Sequence, residues 1–244
     1  MTKLYEANTH IIIDTDTIKP IEHSHMASHV IISMGGKMKV MSDEEEHVCQ
    51  GIMIPSGVPH VVDTYGERVL VFLYDNTTNV ATHIRVLQTL SDEICNVIVE
   101  SYIEFCNDSA SQSYKRLEDC ILQQLDIDEA RDCVTDERII SAIKYMHSMS
   151  SEQISCKEVA DFVHLSESRF SHLFKNQVGM TFASYLIYQR IMYVYTQIIR
   201  GKSITDAAIE AGFSSSAHFA DVNRRVFGVT ASNMTQDLIF IKVS

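Results

Sequence analysis

The C-terminal half of the chain contains its own duplicate. The segment SCKEVADFVHLSESRFSHLFKNQVGMT, from Ser155, realigns on SITDAAIEAGFSSSAHFADVNRRVFGVT, from Ser203. At a shift of 48 residues Ser155 meets Ser203, Ala160 meets Ala208 and Ser166 meets Ser214. After one inserted residue Phe170 meets Phe219, Gly179 meets Gly228 and Thr181 meets Thr230. Each copy reads as a short helix, a tight turn and a second capped helix. A small alanine sits in the first helix, where two helices must cross closely. Gly212 supplies the turn of the second copy, because a left-handed backbone costs glycine little. This is the pattern of a helix-turn-helix. Between the copies, Phe182 to Ile199 is an uninterrupted helical stretch of 18 residues. At 1.5 Å per residue it spans about 27 Å. Such a rod can hold two recognition helices roughly one DNA turn, about 34 Å, apart.

Charge divides the chain at about the same place. The net charge of −12 argues against a general nucleic-acid coat. Residues 1–130 hold 8 basic and 21 acidic residues, whereas residues 131–244 hold 12 and 11. Between Ser166 and Arg225 there are seven bases and four acids. An acidic front half and a mildly basic back half imply two modules with different partners. Hydrophobic content of 45% with only three prolines and nine glycines excludes a disordered or Pro/Gly-rich chain. No run approaches the roughly 18 apolar residues of a membrane span. The segment MTKLYEANTHIIID lacks the pattern of a secretory signal, so the expected location is the cytoplasm, with no membrane partner. The six cysteines form no CxxC pair, which reads as buried reduced thiols rather than a disulfide or structural zinc framework.

The front half reads as β-structure followed by helices. Between about residues 9 and 74, HIIID, HVIIS, KMKVM, GIMIP, HVVDT and RVLVFLY are strand-like runs, broken at Gly36, 43–46, Ser56-Gly57 and Tyr65-Gly66. Short strands at this spacing predict a barrel or sandwich. The acidic run Asp43 to His47 reads as a solvated hairpin tip. The texture changes after Asp75-Asn76, and residues 80–106 and 112–126 carry apolar residues at helical spacing, predicting two amphipathic helices suited to dimerisation. Asp126 to Asp136 is the best linker. From Thr135 onward the pattern is helical to the end, with N-caps expected at Thr135, Ser155, Ser166, Thr181, Ser203 and Ser214 or Ser215. The domains are therefore expected at 1–128 and 129–244.

The back half resembles the AraC/XylS family of transcriptional regulators. The resemblance covers roughly residues 138–234. It rests on IxxAIxYM, then LSESRFSHLFKNQVGMTFASYLIYQRI, then GKSITDAAIEAGFSSSAHFADVNRRVFGVTASNM. It implies a seven-helix domain whose two helix-turn-helix units enter neighbouring major-groove segments of promoter DNA. In the first unit Phe170, Leu173 and Phe174 should face the core, leaving Ser168, Arg169, Ser171, His172 and Lys175 outward. The family pattern puts base-edge readers at Ser168, Ser171 and His172, and Lys175 on phosphate, which positions without reading sequence. In the second unit Phe219 is core, Ser216, Ala217, Ala220 and Asp221 form the reading face, and Arg224 and Arg225 are phosphate candidates. Three residues depart from the pattern. Asp221 repels phosphate unless it accepts from cytosine N4; Asn223 replaces a core aromatic, and Ala231 a proline.

The front half holds a histidine cluster, HSHMASHVIISMGG over 23–36 and CQGIMIPSGVPH ending at His60. On a regular strand His23, His25 and His29 share a face, and a second strand carrying His60 can close the group. Four imidazoles on one concave face suit a transition metal. The region resembles the cupin fold. His23, His25 and Gly36 fit its first motif with His29 in the glutamate position, and Pro55, Gly57 and His60 fit the second. Cys49 and Thr64 replace a usual glycine and asparagine. The resemblance implies a sensor pocket at His23, His25, His29 and His60 that takes a metal or a small-molecule effector. The expectation is thus a two-domain chain, a cupin-like β-barrel followed by helices and then an all-α domain with two helix-turn-helix units. Its function is then a cytoplasmic, sequence-specific regulator and not an enzyme. It is expected to act as a homodimer that activates through RNA polymerase. The alternative is a metal-dependent cupin enzyme.

Overall fold

The computed structural model describes residues 2–7, 10–16, 18, 20–25, 27–74, 78–108, 111–127, 134–148, 154–227 and 238–242. The chain divides into two units, the first Met1–Arg131 with Phe227–Ser244, the second Asp132–Val226. Most of the expected linker, with Cys133, lies outside the described residues. So do Asp75 and Asn76, and Gly228, Thr230 and Ala231.

Unit 1 is built on two sheets. Its strands are β1 (Thr2–Glu6), β2 (His10–Thr15), β3 (Ser28–Ser33), β4 (Met38–Ser42), β5 (Glu45–Cys49), β6 (Gly51–Ile54), β7 (Val61–Asp63), β8 (Val69–Tyr74), β9 (Gln88–Leu90) and β10 (Leu238–Lys242). The seven-stranded sheet runs β10-β1-β2-β8-β3-β6-β9, and the three-stranded sheet runs β5-β4-β7. The helices are α1 (Asn79–His83), α2 (Asp92–Asn107) and α3 (Ser111–Gln124).

Strands β2, β3 and β8 are buried along their whole length, because the two faces of the large sheet have different covers. Ile12, Val30, Ile32, Leu70 and Phe72 share one core with Ile98 and Tyr102 of α2 and Leu117 and Ile121 of α3. The alternate residues Ile11, Ile13, His29, Ile31, Val71 and Leu73 point to the other face, as the two-residue period of a strand requires. At the helix-covered face the buried Asp14 carboxylate takes the Arg68 guanidinium, with Nη2 at 2.7 Å, and the Tyr102 hydroxyl at 2.5 Å. A charge so deep needs such partners.

Several elements differ from the expectation. The stretch 80–106 is not one helix but α1, β9 and α2, because β9 pairs with β6 (Ile52 against Thr89). The main apolar faces of α2 and α3 pack on the sheet, while Val97 and Ile103 of α2 stay exposed. Asp43 and Glu44, with φ of 49° and 66°, make the hairpin turn, but Glu45 to His47 belong to β5, held by pairing with β4. The chain is not helical to its end: β10 pairs in parallel with β1, Leu238 opposite Thr2 and Lys242 opposite Glu6. The back domain expected at 129–244 therefore returns its last strand to the front unit.

Unit 2 contains α4 (Glu137–Ser148), α5 (Cys156–Phe162), α6 (Glu167–Val178), α7 (Phe182–Ile199), α8 (Ile204–Glu210) and α9 (Ser216–Phe227). These are six helices among the described residues, where the resemblance implies seven. No helix among the described residues is long and apolar enough to cross a membrane.

Candidate nucleic-acid interface and histidine pocket

The duplicated segments fold into matched helix pairs, α5–α6 and α8–α9. Each begins on a hydroxyl that satisfies an orphan backbone donor of the first turn. Ser155 accepts from the Glu158 N–H at 3.2 Å, and the Glu158 carboxylate returns a bond to the Ser155 N–H at 2.9 Å, closing a capping box. Ser166, Thr181 and Ser203 cap α6, α7 and α8. Ser215 caps α9 through the His218 N–H at 3.0 Å, so Ser166 corresponds to Ser215 and the inserted residue is Ser214. At α4 the cap is Asp136, which accepts from the Arg138 N–H at 3.0 Å; Thr135 instead donates its N–H to Gln177. A carboxylate one residue later caps the same turn, and the Arg138 guanidinium holds it down to about 2.

His164 makes the turn of the first pair. It has φ of 57°, and Gly212, 48 positions later, has φ of 83°. The next residue in each closes on the first helix, Leu165 N–H to Ala160 O at 2.8 Å and Phe213 N–H to Ala208 O at 3.0 Å. Ala160 and Ala208, like Phe170, Phe174 and Phe219, are fully buried, and Leu173 is half-buried against the first pair's core. Asn223 in the usual aromatic position accepts from the Tyr195 hydroxyl at 2.7 Å, which satisfies the amide inside the core.

With the aromatic faces buried, the predicted contact residues lie outward. Ser168, Arg169, His172, Lys175, Ala217, Asp221, Arg224 and Arg225 are exposed, and Ser171, Ser216 and Ala220 are half-buried. Ser171 Oγ lies 3.3 Å from Cys156 Sγ on α5, so its hydroxyl is partly engaged. Asp221 pairs loosely with Arg224 at 3.7 Å. A hollow of about 440 Å³ at the start of α6 is lined by Arg138, Ser166, Ser168, Arg169, His172 and Leu173. Arg138 comes from α4 and was not among the sequence candidates; only its place just before the IxxAIxYM run hinted at it. The Arg138 guanidinium is already paired with Asp136 at 2.7 Å, so Arg169 beside the helix N-terminus is the group there that favours an anion.

His23, His25, His29 and His60 of unit 1 come together, though not on one regular strand. His23 lies outside β3 and bridges His60 through paired backbone bonds, His23 N–H to His60 O at 3.0 Å and His60 N–H to His23 O at 2.8 Å. The Gly57 N–H binds His25 O at 2.8 Å. One potential ligand atom from each of His23, His25 and His60 lies within 4.8 Å of the others. The His29 ring is 4.4 Å from that of His25 and 4.9 Å from that of His60. His23, His29 and His60 each place Nδ1 against the carbonyl two residues earlier, at 2.7, 3.2 and 2.8 Å. A carbonyl only accepts, so Nδ1 carries the proton and Nε2 the lone pair. The Nε2 atoms of His29 and His60 are buried with no hydrogen-bond partner. Burial pushes His60 down to about 4 and His29 well below the usual imidazole range, His29 further because His25 and His60 face it. Neutral imidazoles with tautomers set by the backbone and unsatisfied Nε2 atoms are the donor set a transition metal requires.

Residues 159–237 match the family described as Helix-turn-helix domain. Over 223 residues the chain is 26% identical to "Probable transcriptional regulator LumQ" of Photobacterium leiognathi, covering 85% of this chain and 89% of that one. It is 41% identical over 64 residues to "Virulence regulon transcriptional activator VirF" of Yersinia enterocolitica, a match covering 26% of this chain and 24% of VirF. Among solved structures, apo ToxT from Vibrio cholerae superposes with a TM-score of 0.62 over 94% of this chain and 97% of ToxT, at 12% identity, a likeness of fold. Two capped helix-turn-helix units joined by one 18-residue helix agree with these matches: residues 159–237 form a helix-turn-helix domain like that of the AraC-type regulators, and the chain is similar to proteins named transcriptional regulators.

Proposed function

We propose that the protein is a cytoplasmic regulator that binds specific double-stranded promoter DNA through α6 and α9 and is controlled by an effector held at His23, His25, His29 and His60. The observation that carries the DNA reading is the matched orientation of α6 and α9. In each the aromatic face is buried in the unit and the polar face is open. Ser168, Ser171 and His172 then read base edges, and Lys175 holds phosphate. Ser216, Ala217, Ala220 and Asp221 form a poorer second reader, flanked by Arg224 and Arg225, so specificity rests on the first unit. In gel-shift titrations His172→Ala weakens binding most on its preferred sequence. Lys175→Ala weakens it uniformly and lowers the salt slope by about 1. Unchanged titrations for both variants would remove this docking.

At the pocket, His23, His25 and His60 would hold a late first-row divalent ion, with His29 as the fourth imidazole. Bound there, the ion would cross-link the 20–25 segment to the loop that ends at His60. The same lone pairs would accept from a small organic effector; ToxT, whose fold this chain shares, has been solved with an unsaturated fatty acid bound. Either ligand acts only by binding two conformations unequally. The family resemblance supports activation through RNA polymerase, and the exposed Val97 and Ile103 on α2 support a homodimer contact there. A metal-dependent enzyme is the weaker reading, because it leaves two complete helix-turn-helix units without a task. Metal analysis of the purified protein, joined to a footprint on its own upstream DNA with and without chelator, tests the assignment. Loss of the footprint on chelation makes the histidines a metal sensor. A footprint indifferent to chelation, on metal-free protein, removes the metal. Turnover of small acids or sugars with no footprint reverses the ranking.

A further inference from the structure

His218, on the first turn of α9, is held in one defined orientation. Ser214 donates its backbone N–H to His218 Nδ1 at 3.3 Å, and the Ser214 hydroxyl lies 3.0 Å from the same nitrogen. A backbone N–H only donates, so Nδ1 carries the lone pair and the neutral ring keeps its proton on Nε2. The ring also stands edge-on to the buried Phe213, with centroids 5.6 Å apart at 82°. His218 is thus pinned at two points while remaining exposed, and both of these bonds fall on Nδ1, leaving the Nε2–H for another acceptor.

The duplication says what that acceptor is. With Phe170 aligned on Phe219, Arg169 falls on His218, Lys175 on Arg224 and Asn176 on Arg225. Seven residues make about two helical turns, so His218 and Arg225 lie on one flank of α9. That flank sits beside the reading face, whose Ser216, Ala217 and Ala220 are small. Asp221, three residues on, faces Arg224 at 3.7 Å.

We propose that His218 is a phosphate-positioning residue of the second unit. Its neutral Nε2–H donates to a non-bridging oxygen of the DNA backbone, next to the charge contact made by Arg225. The proposal rests on the DNA-binding reading above and adds what holds α9 in place where base readers are few. A neutral donor displaces no counterion, so its signature differs from that of a lysine or arginine.

The test uses the full chain and a duplex that the wild-type protein selects from a random-sequence pool. His218→Asn keeps an acceptor for the Ser214 N–H but loses the outer donor; His218→Gln restores a donor at about the reach of Nε2. The Asn variant should bind about tenfold more weakly, as expected for one hydrogen bond to a charged group. The loss should be equal across single-base variants of the duplex, with the salt slope unchanged, and the Gln variant should recover most of it. Undiminished binding by His218→Asn overturns the proposal. A loss confined to one base position makes His218 a base reader instead, and a slope reduced by about 1 makes it a cation. Should either variant unfold, long-range proton–nitrogen spectra of the wild type decide: an Nε2–H tautomer whose signal moves on adding duplex supports the assignment, and an Nδ1–H tautomer removes it. Failure of the wild type to select any duplex overturns the DNA-binding reading as well, which separates the two failures.

Discussion

His10, His29 and His60 show how single residues set the pH response of unit 1. His10 is sealed between Tyr74 and Tyr114, with the Tyr114 hydroxyl 2.8 Å from Nε2, and burial pushes it down to about 4. His60 is lowered to about 4 and His29 well below the usual imidazole range, in each case chiefly by desolvation. The unfolded chain takes up protons near pH 6.5, so between about 6.5 and 4 the unfolded state binds more protons than the folded one. The stability that neutral burial contributes is therefore complete above about pH 6.5 and is lost as pH falls toward 4. For His10 the difference corresponds to about 3 kcal/mol. The urea midpoint of unit 1 should be level above pH 7 and drop steadily below 6.5; a midpoint that stays constant to pH 4.5 contradicts the assignment. The residue types of the cluster were legible in the chain, but their neutrality was not. It depends on burial and on carbonyls two residues back, and β3 begins only at Ser28, so His23 and His25 lie outside the single strand that the alternation of His23, His25 and His29 implied.

Elements with local causes were legible and those with distant causes were not. The caps of α5 to α8 and the bounds of α7 follow from side chains within a few residues of the backbone groups they satisfy. The turn pair His164 and Gly212 is a further local feature, visible in the repeat once the left-handed backbone is known. A non-glycine residue in that conformation costs about 1 kcal/mol, and glycine almost nothing. His164→Gly should therefore raise the melting temperature of unit 2. Gly212→Ala should lower it, with a loss of stability of about 1 kcal/mol or more, since its Cβ would also meet the Arg190 guanidinium carbon at 3.4 Å. Equal melting of both variants and the wild type would refute the shared turn. By contrast β5 is a strand although it opens on Glu45 and Glu46, because its backbone pairs with β4. β9 interrupts a helical pattern because β6 presents an open edge.

At the scale of the whole molecule, the chain closes on itself. The last strand, β10, follows the DNA-reading helices in sequence yet completes the edge of the first unit's sheet beside β1. An uncovered edge is a row of unpaired donors and acceptors and a template for another chain. Deletion of residues 238–244 should lower the melting temperature of unit 1 and produce concentration-dependent association in light scattering. A deletion variant that stays monodisperse, with unit 1 melting unchanged, would show β10 to be dispensable.

The duplication, the caps, the charge asymmetry and the pairing of histidines with glycine and proline turns are properties of neighbours along the chain. From them the two-domain plan, the two helix-turn-helix units and the outward placement of Arg169, His172 and Lys175 could be read directly. What the tertiary structure decided was whatever depends on partners far away in sequence. That includes the strand character of β5, β9 and β10, the packing of α2 and α3 on the sheet and the convergence of His23, His25 and His29 with His60. Local propensity acts over a few residues, whereas pairing edges, burial and proton placement are set by groups that only folding brings within a few ångströms.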